Sequence, residues 1–205
     1  MTTIFETLNN TRMKNAILFA LAGVFFWSFT TLTTYKIDPS GSAVVWKAAK
    51  VTGKHEGTVK VQSGSFSFDN GNLSGGEIVM DMGSIRCTDL EGEYADKLVG
   101  HLKSDDFFGV ATYPTAKFVA TSVKALDGKG NYEVMGNLTI KKTTQPATLK
   151  LEAAEKDGMV RATGKLGIDR SKFDVRYGSN SFFDNLGDKA IYDNFDMEFT
   201  LLAKK

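Results

Sequence analysis

Asn131-Tyr132-Glu133-Val134-Met135-Gly136-Asn137-Leu138-Thr139-Ile140 decides the fold. Tyr132, Val134, Gly136, Leu138 and Ile140 alternate with Asn131, Glu133, Asn137 and Thr139, so a strand carries the first set on one face and the second on the other. Downstream the same period recurs. Leu149, Leu151 and Ala153 alternate with Lys150 and Glu152. Val160, Ala162, Gly164, Leu166 and Ile168 alternate with Arg161, Thr163 and Lys165. Phe195, Met197, Phe199 and Leu201 alternate with Asp196, Glu198 and Thr200. Upstream, Val44, Trp46 and Ala48 share a face, as do Val59 and Val61, Phe66 and Phe68, and Ile78, Met80 and Met82. Asp69-Asn70-Gly71, Asp127-Gly128-Lys129-Gly130 and Lys156-Asp157-Gly158 stand between the runs as hairpin signals. Short strands with one apolar face predict an antiparallel sandwich or barrel. A barrel is favoured, because a series of hairpins otherwise leaves open edges.

Two segments break the alternation. In residues 93–103, Tyr94, Leu98 and Leu102 recur every fourth position beside Ala95 and Val99, which predicts an amphipathic helix despite Gly100. Residues 178–193 are polar with Phe182 and Phe183 embedded, and read as a long loop with a functional role.

The chain has 205 residues, enough for one domain with an appendage. Its net charge is +1, which argues against nucleic acid as the main partner, since phosphate binding draws on a basic excess. Residues 15–35 carry no charged side chain and follow Arg12 and Lys14. The apolar core of that stretch, residues 16–29, has the length of an export-signal core and is short for a spanning helix. We therefore expect residues 1–34 to be an N-terminal extension and export signal, with Met13 an alternative start to Met1. A retained signal anchor is the rival reading. Residues 35–205 are then one exported domain, periplasmic or secreted, and loss of Glu6, Arg12 and Lys14 leaves it near neutral. Cys87 is the single cysteine, so neither an internal disulfide nor a multi-cysteine metal site can form.

Catalytic patterns are missing. Only His55 and His101 are available as bases, and no nucleophile elbow, zincin helix motif or phosphate-binding glycine loop is present. His55 lies between glycines and charges and reads as a solvated turn residue; His101 reads as helix surface or cap. Asp105-Asp106 reads as turn chemistry, and Cys87 has only Arg86 as a basic neighbour. No catalytic or metal residue is assigned, and no cofactor. Binding is what the aromatic alternating face offers, although the same face serves equally as a packed core. Ala48, Gly136, Ala162 and Gly164 tilt the balance, because small inward residues leave room in a small barrel. An apolar cavity suits a lipid. One isoprene unit gains about 3 kcal/mol at most relative to water, and close to nothing relative to a membrane, so a soluble carrier must enclose its ligand.

His101-Leu102-Lys103-Ser104-Asp105-Asp106-Phe107-Phe108, followed by Tyr113-Pro114-Thr115-Ala116-Lys117-Phe118, resembles the signature of the YceI-like family of exported polyisoprenoid-binding proteins. Tyr35-Lys36-Ile37-Asp38-Pro39-Ser40-Gly41-Ser42, Gly136-Asn137-Leu138-Thr139-Ile140-Lys141 and Ile168-Asp169-Arg170-Ser171-Lys172-Phe173-Asp174-Val175 are similar to other parts of that family. The likeness runs from Tyr35 to Lys205. Lys142 and Asp174 stand where the family often has glycine. The resemblance implies an all-β fold, an eight-stranded antiparallel lipocalin-like barrel with one short helix near its mouth. It also implies a long isoprenoid or quinone-type lipid in the interior.

The inward candidates are Trp46, Phe66, Phe68, Met80, Phe118, Tyr132, Val134, Leu138 and Phe195. Phe107 and Phe108 are placed to gate the mouth. Arg170 is the polar candidate for a lipid head group, against the alternative that it pairs with Asp169 or Asp105; Arg86 is a second candidate. An envelope redox accessory holding a quinone-like substrate, and a ligand-free structural or stress barrel, stay open beside the carrier. So do a membrane-protein partner and a homodimer.

Overall fold

The computed structural model describes residues 31–205. The extension and export signal expected over residues 1–34 lie outside the described residues up to position 30. Strand β1 (Leu32–Ile37) already takes in three residues ahead of Tyr35, pairing Leu32 with Asp69.

After β1 come β2 (Ala43–Lys50), β3 (Gly53–Asp69), β4 (Asn72–Cys87), helix α1 (Gly92–Lys103), β5 (Thr115–Ala125), β6 (Asn131–Ile140), β7 (Thr143–Lys156), β8 (Met159–Asp169) and β9 (Asn194–Lys204). All pairings between these strands are antiparallel, and β3 pairing with β4 closes the sheet into a barrel. The barrel has eight staves although it has nine strands. β1 pairs with the end of β3 and the end of β9, while β2 pairs with the start of β3 and the start of β9. The two therefore form one stave, interrupted at residues 38–42. Asp38 stabilises the break by accepting from Ser40 Oγ at 2.6 Å and from Lys204 Nζ at 2.7 Å.

Bulges bend the two longest strands. In β3 the buried positions are odd at Val59 and Val61 and even at Phe66 and Phe68, with the register shift between Val61 and Ser63. β4 carries extra residues between Asp81 and Arg86. Ser84 fills the gap there: its Oγ accepts from Lys60 N at 2.7 Å and donates to the Asp81 carbonyl at 2.6 Å. Such irregularities re-aim side chains and let a sheet curl shut. The β3–β4 and β7–β8 hairpins turn at Asn70-Gly71 and Asp157-Gly158, all four residues with positive φ, as tight two-residue hairpins require.

One end of the barrel is solid. Phe66, Phe68, Leu73, Tyr132, Val134 and Val160 are buried there beside the hairpins, and Tyr35 packs edge-on against Phe68. The Tyr132 hydroxyl accepts from Leu73 N at 3.3 Å, tying β6 to the β3–β4 hairpin. The other end carries α1, residues 104–114 and residues 170–193. The helix forms where the period of four predicts it, with Ala95, Leu98, Val99 and Leu102 half-buried. Tyr94, expected on the same apolar face, is 75% exposed instead. The face packs mainly on β4, and Tyr94 in the first turn lies beyond that contact.

Candidate functional site

A cavity of about 160 Å³ occupies the α1 end of the barrel interior. Every strand from β2 to β9 contributes to its wall, because inward positions of the alternating pattern converge there. Trp46, Met80, Phe118, Leu138 and Phe195 line it from the strands, and Phe107 and Phe108 from the segment after α1. The lining is apolar. Lys117 is its one charged residue, and the Lys117 amine lies 2.7 Å from Glu77 on the outer face.

The other inward candidates have a different place. Phe66, Phe68, Tyr132 and Val134 are buried in the solid end and do not line the cavity. Alternation identifies a face of a strand but not a height along it. Sequence reasoning passed over Val44, Ile78, Met82, Leu149, Leu166 and Met197, which do line it. The same alternation marks all six, and their register with Trp46 or Phe118 is what selects them.

The small inward residues do not leave open space, apart from Ala48, which lines the cavity. A β-carbon on Gly136 would stand 2.4 Å from Phe118 Cζ, and one on Gly164 would stand 2.7 Å from Phe199 Cζ. Aromatic rings from neighbouring strands already cover these glycines. Trp46 lies over Gly57 in the same way, 2.6 Å from the β-carbon position. Ala162 is fully buried in the core. The glycines act as seats that fix aromatic rotamers, which then shape the cavity.

Arg170, the polar candidate for a head group, does not line the cavity. Its side chain is 2% exposed and its guanidinium donates to four backbone carbonyls. Nη1 reaches Val175 at 2.9 Å and Tyr177 at 2.8 Å; Nη2 reaches Ile191 at 2.9 Å; Nε reaches Tyr192 at 3.3 Å. Its ion-pair partner is Asp193, 3.2 Å away, rather than Asp169 or Asp105. Burial pulls its pKa down, and the charges of Asp193 and Asp169 oppose that. Four of its five N–H donors hold carbonyls of the segment between β8 and β9, so the residue latches that segment. The latch also backs the cavity wall, since the guanidinium carbon sits 5.3 Å from the Phe107 ring centroid. His101 packs on the same ring from α1, 5.7 Å away, and on Tyr177 at 4.2 Å. Asp174 has φ +60°, a left-handed conformation that favours glycine, and its carboxylate accepts from Arg176.

Arg86 is exposed and donates from Nη1 to the Ile85 carbonyl at 3.1 Å, outside the cavity. Its own carbonyl accepts from Trp46 Nε1 at 3.1 Å, which fixes the indole. Asp105 and Asp106 lie in the turn after α1, as expected.

His55 is a strand residue rather than a turn residue. It is the cross-strand partner of Ala48 at the α1 end, and its side chain is 28% exposed. Its Nδ1 lies 2.9 Å from Asp89 Oδ2, while Asp89 Oδ1 accepts from Glu56 N at 3.0 Å and from Cys87 Sγ at 3.1 Å. Burial works to raise the Asp89 carboxyl, but the three donors outweigh it and hold it at about 2. Burial, with the bond to Asp89, pushes the Cys87 thiol up and keeps it protonated. Among the described residues no cluster of three or more His, Cys, Asp or Glu side chains is arranged to hold a metal ion. Nor is any helix among them long and apolar enough to cross a membrane.

A family model described as YceI-like domain matches residues 35–203. A UPF0312 protein of Shewanella denitrificans is 38% identical over 87 residues, covering 42% of this chain and 43% of the relative. One from Pseudomonas putida is 36% identical over 119 residues, covering 57% and 59%. The chain thus matches about half the length of these two relatives. Protein YceI of Salmonella arizonae is 33% identical over 141 residues, 67% of this chain and 71% of that protein. Among solved structures, Burkholderia cenocepacia BcnA superposes with a TM-score of 0.63 at 24% identity, covering 82% of this chain and 99% of that one. A polyisoprenoid binding domain from Saccharophagus degradans superposes with a TM-score of 0.59 at 16% identity, covering 83% and 97%. Both share the barrel fold.

Proposed function

The chain belongs to the YceI-like family, and on that premise we propose that it is an exported, non-enzymatic lipid carrier that encloses an isoprenoid chain in its barrel. The apolar cavity at the α1 end carries this reading: an uncharged chain fits a wall without polar partners, and a charged or hydrogen-bonding metabolite does not. The Saccharophagus neighbour, a polyisoprenoid binding domain, supports the same ligand class. The uncharged N-terminal stretch supports export to the periplasm or beyond.

The cavity volume adds a constraint. A dry cavity of about 150 Å³ accepts one benzene-sized group, so about 160 Å³ holds roughly one isoprene unit. A longer chain enters only if the lining gives way. Met80, Met82 and Met197 are unbranched and re-pack readily, and Phe108 is half-buried at the end of the cavity. Loading therefore moves these side chains.

Trp46 reports on the interior directly. Titrating the full chain with geranylgeraniol is expected to change Trp46 emission saturably, with a Trp46→Phe control separating the Trp27 signal. Ala48→Leu, which fills the cavity beside Trp46, is expected to abolish the change without lowering the melting temperature. Emission unchanged in both proteins would overturn the carrier and favour a barrel filled by its own side chains.

A further inference from the structure

Resting on that lipid-binding reading, we infer that His55 and Asp89 form the head-group site of the barrel and select an isoprenoid that ends in a hydroxyl, as a prenyl alcohol or prenyl phenol does. The cavity wall is apolar, with the Lys117 amine engaged by Glu77 on the outer face, so the polar end of a ligand must lie where the lining stops. His55 stands at that boundary. Its strand partner Ala48 lines the cavity, and its diagonal neighbour Trp46 lines it as well. Cys87 sits one strand over, opposite Gly57, the glycine on which the Trp46 indole rests.

The chemistry of the pair sets the ligand class. A carboxylate only accepts, so Asp89 holds the imidazole proton on Nδ1. In the neutral imidazole that leaves Nε2 with a lone pair and, among the described residues, no hydrogen-bond partner. A lone pair at the rim takes a hydroxyl donor. It gives nothing to a bare hydrocarbon and repels a quinone carbonyl. Glu56 N and Cys87 Sγ already occupy Asp89 Oδ1, so the carboxylate is fixed in place and the ring orientation with it. The purely architectural alternative is a clasp between the start of β3 and the end of β4. Such a clasp leaves chain affinity and head-group preference changing together.

The two are separated by titrating the full chain with geranylgeraniol and with the same hydrocarbon lacking its hydroxyl, read by Trp46 emission. The wild type is expected to bind the alcohol about tenfold more tightly than the hydrocarbon, the worth of one good hydrogen bond. His55→Phe is expected to bring that ratio to about one while hydrocarbon affinity stays within about twofold of wild type. Asp89→Asn, which frees the tautomer without removing the ring, is expected to cut the ratio at least about threefold, and it serves if His55→Phe fails to fold. A wild-type ratio near one, or a ratio that survives in both variants, overturns the head-group site and leaves the lipid carrier standing. Binding of neither probe overturns both.

Discussion

Phe199 lies over Gly164, its direct partner across β8 and β9, with Cζ 2.7 Å from where a β-carbon on the glycine would be. The glycine gives up its side-chain volume to the ring, and the ring then lines the cavity. Gly164→Ala is expected to destabilise the barrel by about 1–3 kcal/mol, since the new methyl also meets the Lys150 carbonyl at 2.6 Å. Combining it with Phe199→Leu should recover part of the loss, because the ring is half of the obstruction. Denaturant unfolding of the two singles and the double variant checks this. Strict additivity would show that the ring and the glycine are not coupled.

Arg170→Met removes every donor that Val175, Tyr177, Ile191 and Tyr192 use at that point, and leaves Asp193 without its counter-ion. Truncating one partner of a buried ion pair costs about 3–5 kcal/mol. The expected outcome is a marked fall in melting temperature and early proteolysis between β8 and β9. A head-group residue would behave the opposite way, with stability retained and binding lost.

Gly100 lies on the exposed side of α1, with nothing within 4 Å of its β-carbon position and no positive φ. Gly100→Ala is therefore expected to stabilise the protein by about 0.5–1 kcal/mol. No change in melting temperature would mean that α1 is already unfolded independently of the barrel.

Acid sensitivity follows from the carboxylates held low in the folded protein, Asp38, Asp89, Asp127, Asp174 and Glu198. Hydrogen bonds from Lys165 and then Lys47 hold Glu198 at about 2, below its ordinary 4.5. Asp89 sits at about 2 against an ordinary 3.8, its donors outweighing burial. Folded-state values lie below unfolded ones, so this stability is complete above the ordinary carboxylate range and drains away as pH falls toward 2. Melting temperature should be level near neutrality and drop below about pH 4. Asp89→Asn should flatten part of that drop. An unchanged acid limb in the variant would place the sensitivity elsewhere.

Much of this architecture was legible in the residues. The period of two from Tyr132 to Ile140, the turns at Asn70-Gly71 and Asp157-Gly158, and the period of four in α1 all report local rules, and the chain obeys them. The site was legible only in part, because its membership depends on register. Phe66 and Trp46 look alike in sequence, yet one plugs the solid end and the other lines the cavity. Gly136 and Gly164 read as gaps because the rings that fill them come from other strands. His55 and Asp89 stand far apart in the chain and meet only because β3 pairs with β4, and Arg170 finds its partners in a segment that follows no repeating pattern.

The most direct test of the carrier is native mass spectrometry of the protein purified gently from its own cell envelope, followed by organic extraction of whatever it holds. The account predicts a stoichiometric non-covalent adduct that fragments in isoprene steps and carries a hydroxyl. A ligand-free mass from such material, together with no uptake of added geranylgeraniol, would contradict it.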